Sequence, residues 1–302
     1  MRNLMRLGLA VLILLAGGST PGVAAANEDG MAAYTQGDFA KALQIWRPLA
    51  DQGDATAQKY LGVMYVNGQG VPQDNAEAVG WYRKAADQGD APAQHYLADM
   101  YRDGLGVEAS PSEAAAWYAK AAGQGDAGAQ TSLATLYETG QGVARDMAQA
   151  AKWYALAAEQ GDLRAQLALA TAYDKGQGVG QSFTEAVKWY AKAADQGSAP
   201  AQSRLGFLYR VGKGVNKDFT EAQKWLRKAA DQGDSAAQYW LGVHYRQGQG
   251  VPQNFVTALM WLKLSAAQGD KDAAKLQDTV ARAMTAADIA AADRLSQEWK
   301  KP

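Results

Sequence analysis

The stretch AQKYLGVMYVNGQGVPQDNAEAVGWYRKAADQGDAP, residues 57–92, decides the fold, because its pattern returns at a constant interval along most of the chain. The tripeptide QGD begins at Gln52, Gln88, Gln124, Gln160, Gln232 and Gln268, with QGS at Gln196 filling the gap, so the period is 36 residues. A fixed period of this length marks a stacked-repeat architecture, in which each unit buries its apolar face against its neighbours.

Each copy reads as two helices. The first carries AQxxLGxxY, with Ala57, Leu61, Gly62 and Tyr65 on one helical stripe. Small residues at the Gly62 slot (Gly62, Ala98, Ala134, Ala170, Gly206 and Gly242) allow two helices to approach closely. Gly68 suits the left-handed residue that ends this helix, Gly70 turns the chain again, and Val71 plugs back between the helices. The GQG run does not make a phosphate loop. That motif needs a preceding strand and a Lys-Ser/Thr pair, and Gly212-Lys213-Gly214 lacks the hydroxyl.

The second helix is announced by capping boxes, Asp74/Glu77, Ser110/Glu113, Asp146/Gln149, Ser182/Glu185 and Asp218/Glu221. In such a box the cap side chain takes one orphan amide and the third helical residue returns a bond to the cap's own N–H. Asn254 caps the sixth unit, but Thr257 does not complete the box. The body reads AxxWYxKAA, with Trp81, Trp117, Trp153, Trp189, Trp225 and Trp261 in register as structural core residues. Asp54, Asp90, Asp126, Asp162, Ser198, Asp234 and Asp270 then cap the next first helix.

The ends depart from this frame. Residues 1–26 read as a cleavable signal peptide, with Arg2 and Arg6 before the apolar run Leu7–Leu15 and small residues at Val23–Ala26, cut after Ala25 or Ala26. The run is too short to span a bilayer comfortably, an uncleaved membrane anchor being the alternative, and without cysteine there is neither a lipid-anchor site nor a disulfide framework. A periplasmic or secreted product with no membrane span is expected. Residues 27–56 form a shortened first repeat, residues 57–272 six full repeats, and residues 273–302 a helical cap with Thr285 as an N-cap and Ile289, Ala292, Leu295 and Trp299 on one face. A net charge of −1, with both signs interspersed, offers no basic face for nucleic acid.

The combination AQxxLGxxYxxGxGVxxDxxxAxxWYxKAAxQGD resembles the Sel-1-like repeat, a longer-looped relative of the tetratricopeptide repeat. The resemblance covers residues 57–272 strongly and the flanking segments weakly. It implies an all-α fold, a right-handed α/α superhelical solenoid of helix-turn-helix repeats. It also implies an adaptor that binds a protein or peptide in a concave groove, tied in exported bacterial members to envelope assembly, polysaccharide regulation or a sensor's periplasmic domain. A cysteine-rich branch of the family is associated with β-lactams, and an activity on β-lactams or peptidoglycan is the alternative. The absence of cysteine and of a Ser-x-x-Lys pattern with a separate Lys-Thr-Gly departs from that branch.

Residues that recur in every copy serve the scaffold, so specificity belongs to positions that vary. If first helices line the groove, as the tetratricopeptide arrangement implies, the inward slots are those of Lys59, Val63, Val66 and Asn67. They place Lys59, His95, Asp99, Arg102, Glu138, Asp174, Phe207, Arg210, Tyr239 and Arg246 at the partner, with arginine and aromatic anchors toward the C-terminal end. His95 and His244 sit in different slots of units four apart, so no metal site is expected. No nucleophile, base and orienter come together in the pattern, so the expectation is a cofactor-free, non-catalytic monomer or weak oligomer.

Overall fold

The structure, a computed structural model, describes residues 21–299. The expected leader's basic start and apolar run lie outside the described residues. Its expected cleavage site falls within the first described helix, which begins at Pro21.

Among the described residues there are sixteen helices and no strand, and within each of two units the helices pack chiefly on their neighbours in sequence, apart from the last helix, as in α/α repeats. Contacts group the chain into two compact units, one ending at Arg145 and one beginning at Asp146. The first unit holds α1 (Pro21–Thr35), α2 (Phe39–Asp51), α3 (Ala55–Asn67), α4 (Asn75–Asp87), α5 (Ala91–Asp103), α6 (Pro111–Gly123) and α7 (Ala127–Thr139). The second holds α8 (Met147–Glu159), α9 (Leu163–Lys175), α10 (Phe183–Asp195), α11 (Ala199–Val211), α12 (Phe219–Asp231), α13 (Ser235–Gln247), α14 (Phe255–Ala267), α15 (Lys271–Ala281) and α16 (Ala286–Glu298).

Helices this short are marginal alone, so their ends matter. Asp54, Asp90, Asp126, Asp162 and Asp234 each accept a bond from the amide three residues on, at 2.7–2.8 Å. Ser198, in the one QGS copy, does the same at 3.4 Å. The second helices are capped by Asp74, Ser110, Asp146, Ser182, Asp218 and Asn254 as expected.

The reciprocal half of the capping box is not the one expected. The cap amides of Asp74, Ser110, Ser182, Asp218 and Asn254 donate to the carbonyls of Tyr65, Tyr101, Tyr173, Tyr209 and Tyr245, at 2.8–3.0 Å. Those carbonyls lie in the last turn of the first helix, where no intrahelical donor remains. The loop therefore joins an orphan acceptor of one helix to an orphan donor of the next, and the acid is released. Glu185 and Glu221 instead pair with Lys188 and Lys224 one turn on.

Repeats are locked together by two features whose role the sequence did not announce. The first is the second loop glycine. Gly106, Gly142, Gly178 and Gly214 have φ of +68 to +74°, and a Cβ on any of them would come within 2.0–2.3 Å of backbone at the start of the preceding repeat's second helix. The second is a glutamine ladder. Gln94, buried, donates to the Ala86 carbonyl at 3.0 Å and accepts from Gln124 Nε2 at 2.8 Å. The same pair of bonds recurs at Gln58, Gln166, Gln202 and Gln238, with Gln88, Gln196, Gln232 and Gln268 as the second partners. This accounts for the Gln of AQ and the Gln of QGD together.

Gln94→Leu is expected to destabilise the chain by about 1–2 kcal/mol, because the Ala86 carbonyl keeps its bond from the Gly89 amide but loses the buried Gln94 donor, and the exposed Gln124 amide loses its acceptor. Urea denaturation checks this, and a cost below about 1 kcal/mol would show that water takes over the ladder.

The tryptophans of the second helices are not uniformly core. Trp81, Trp117, Trp189 and Trp261 are buried, whereas Trp153 and Trp225 are only half-buried. The recurring Lys of WYxKAA explains the outer face of most of them: Lys84, Lys120, Lys192 and Lys228 hold Nζ 3.5–4.3 Å from the centroids of Trp81, Trp117, Trp189 and Trp225. The fully buried Trp46 of α2 stacks on Tyr60 at 4.5 Å and lies against Gly30 of α1. At the other end α16 packs chiefly on α14, with Ala292 buried and Trp299 against Trp261. Leu295, expected on the same face, is exposed.

Candidate functional site

The varying positions of the first helices do different things in the two units. In the first unit Lys59, His95, Asp99 and Arg102 are consumed by the scaffold, whereas the second unit has both such positions and an aromatic group. Lys59 lies 3.7 Å from Asp90 and over the Tyr60 ring, and His95 Nδ1 is 2.9 Å from Asp126 Oδ1. Asp90 and Asp126 are the N-caps of the following first helices, so this slot ties one repeat to the next cap. Ser203, in the same slot of the second unit, repeats it by donating to Asp234 at 2.8 Å.

Around His95 the groups saturate one another. Asp99 Oδ2 is 3.7 Å from its Nε2, Arg102 Nη1 is 2.8 Å from Asp99 and 2.8 Å from the Tyr118 hydroxyl, and Tyr118 donates to Asp99. Arg102 also makes a two-pronged contact with Asp103 at 2.8 Å. Burial works against charge on His95, but the bond to Asp126 and the Asp99 charge prevail and raise its pKa. Burial likewise opposes charge on Asp126, and the bond to His95 overcomes it, lowering its pKa. Glu138 is half-buried near the end of α7, its carbonyl accepting from Arg145 Nε at 2.9 Å.

In the second unit Asp174 is buried and fully occupied. It takes a two-pronged bond from Arg204 at 2.6 and 2.8 Å and a third from the Tyr190 hydroxyl at 3.3 Å. The remaining candidates come together. The Arg204 guanidinium lies over the Phe207 ring at 4.9 Å, Phe207 meets Trp240 at 5.6 Å, and Tyr239 meets Trp240 edge-on at 4.9 Å. The Arg210 guanidinium stacks on Trp240, 4.0 Å from the ring centroid. The Tyr239 hydroxyl feels burial first, which raises its pKa, then the charges of Asp272 and Asp270 and, opposing them, of Arg210 and Arg246. One face of α11 and α13 therefore carries three aromatic rings and two guanidiniums within reach of one hydroxyl.

Tyr60, Tyr96, Arg204 and Trp240 were missed by the slots read from sequence. They occupy one slot, three residues before the Val63 slot and seven before Asn67, and that i, i+3, i+7 spacing was the available signal. His244, by contrast, is core: it is fully buried in the slot that Met64 and Met100 fill elsewhere, with Nδ1 3.2 Å from Gln223 Oε1 and Nε2 without a partner. Among the described residues no group of three or more His, Cys, Asp or Glu is placed to hold a metal ion, and no helix is long and apolar enough to cross a membrane.

A family model described as Sel1 repeat matches six consecutive segments, residues 55–90, 91–126, 127–162, 163–198, 199–234 and 235–270. Among solved structures, the chain is similar to a Sel1 repeat protein from Oxalobacter formigenes, 32% identical over 80% of this chain and 98% of that one, with a TM-score of 0.71. It is also similar to a protective antigen present in uropathogenic Escherichia coli strains, 31% identical over 92% of this chain and 76% of that one, with a TM-score of 0.43. The comparison with curated proteins finds no match.

Proposed function

The chain belongs to the Sel1 repeat family, whose repeats are typically protein-interaction scaffolds, and on that premise we propose that it is a non-catalytic adaptor of the bacterial envelope. It holds a protein or peptide partner on the first-helix face of α11 and α13, in the groove that the family resemblance implies. The observation that carries this reading is the cluster of Phe207, Tyr239, Trp240 and Arg210, half-buried aromatic and arginine side chains of the kind that dominate binding energy at interfaces. Supporting an envelope location is the leader read at residues 1–26. A sensor's periplasmic domain or an envelope-assembly protein is the class of partner that follows.

A photo-crosslinking residue introduced at Tyr239 in intact cells is expected to capture a discrete partner, and one introduced at Lys188 on α10 is not. Adding Phe207→Ala and Trp240→Ala is expected to weaken capture at least about thirtyfold, since each such anchor is worth about 2 kcal/mol or more. Equal capture from Lys188, or capture untouched by the double substitution, would overturn the assignment.

A further inference from the structure

Arg210 and Arg246 differ from the other cations of these helices. Lys59, Arg102 and Arg204 each face a carboxylate, Asp90 at 3.7 Å, Asp99 at 2.8 Å and Asp174 at 2.6 Å. Arg164 and Lys175 stand exposed in water. Arg210 and Arg246 are half-buried, and among the described residues neither has a carboxylate within ion-pair distance.

Taking a guanidinium partly out of water without a counter-ion is unfavourable. The Arg210 Nε is itself buried and has no hydrogen-bond partner. Stacking on Trp240 compensates the plane of the group, not its N–H edge. The group is therefore a half-buried cation without a carboxylate partner, which an anion can meet at its outer amino groups but not at the enclosed Nε, beside an apolar floor made by Phe207 and Trp240.

We infer that this face recognises an acidic segment of its partner, a carboxylate side chain bonding Arg210 and Arg246 while a neighbouring apolar or aromatic side chain lies on Phe207 and Trp240. This rests on the reading that the face binds a partner, and names the partner's chemistry. A polyphosphate strand fits less well. Asp270 and Asp272 act on Tyr239 at the same place and would repel a continuous line of charge, whereas a peptide can set one or two carboxylates against the arginines and an uncharged residue against the acids.

The test is fluorescence anisotropy of the purified chain with three labelled probes: an octapeptide of Asp, Glu and Phe with blocked ends, its Asn/Gln counterpart, and an oligothymidylate. The acidic peptide is expected to bind at least tenfold tighter than the amide counterpart. Arg210→Gln with Arg246→Gln should abolish that preference, and Arg227→Gln, a second-helix arginine already paired with Asp231, should preserve it. The wild-type preference should shrink as salt is raised. Equal binding of both peptides, binding of the oligonucleotide alone, an unchanged preference in the double variant, or no binding of the acidic peptide would each overturn the inference. If crosslinking from Tyr239 still captures a partner in that case, the partner reading stands and only its acidic chemistry fails; loss of both signals removes both.

Discussion

Replacing Gly178 by alanine is expected to cost about 3–5 kcal/mol. Two effects combine. At φ +73° the residue sits in the left-handed region, which an L side chain occupies at a cost of roughly 1–2 kcal/mol. Its Cβ would also stand 2.0 Å from the Met147 carbonyl oxygen and 2.3 Å from the carbonyl carbon, and neither is a flexible side-chain tip that could swing away. The start of α8 would have to shift, and with it the packing of two repeats. Gly176, two residues earlier in the same loop, separates the effects: its φ is +69°, but a Cβ there meets first the Cβ of Gln181, at 3.2 Å. Gly176→Ala should therefore lose only the conformational share, about 1–2 kcal/mol. Urea denaturation of the two variants, with hydrogen exchange at the start of α8, gives the comparison. Equal losses at both positions would show that the close approach to Met147 is not what the glycine serves.

That glycine shows where sequence reasoning reached and where it stopped. Helix starts and ends were legible because caps and left-handed glycines are local, decided within four residues of chain: Asp54 with the Ala57 amide, Gly68 at φ +66°. The 36-residue period made the stacking legible as well. What a recurring letter touches across repeats was not. Gln58 and Gln88 meet through a side-chain bond thirty residues apart, and nothing in the spacing distinguishes such a pair from two solvated glutamines. The capping boxes misled for a related reason. The N3 carboxylate is the local candidate for the cap amide, but the Tyr65 carbonyl, brought round by the loop, is an acceptor with no other intrahelical donor, and it wins.

The candidate site divided along the same line. The variable slots were found by alignment, yet the slot of Lys59 and His95 faces the next repeat's cap, a contact between units that alignment within a unit does not display. Arg210, Phe207 and Tyr239 were found because their residue types are those of anchors. Trp240, which organises them, was missed because its slot is filled by Ser132 and Ala168 in the middle copies and so does not read as a surface position. The uncompensated charge of Arg210 could only emerge once every neighbouring carboxylate had been assigned a partner in space.

The same neighbourhood makes the chain sensitive to acid. His244 is fully buried, and burial first, then the nearby Arg210 charge, lowers its pKa from the ordinary 6.5 to about 4. Above pH 6.5 the imidazole is neutral both folded and unfolded, and contributes no pH dependence. Between pH 6.5 and about 4 the unfolded chain takes up a proton that the folded chain refuses, so stability falls as the solution is acidified. At 1.36 kcal/mol per unit the loss reaches roughly 3 kcal/mol near pH 4. No carboxylate offsets it, since the groups facing the ring are Gln223, the Phe219 edge and Arg210. His95 acts in the opposite sense: its raised pKa adds stability that is present below pH 6.5 and is lost as pH rises through the folded value. His244→Met, which restores the residue that fills this slot at Met64 and Met100, isolates the first effect. The stability difference between variant and parent should be near constant from pH 8 to 7 and grow by roughly 3 kcal/mol toward pH 4, carboxylate titrations cancelling between the two chains. Urea denaturation at a series of pH values reads it directly. A difference that stays flat would mean that His244 finds a partner for its proton in the folded chain, which the enclosed Nε2 does not have.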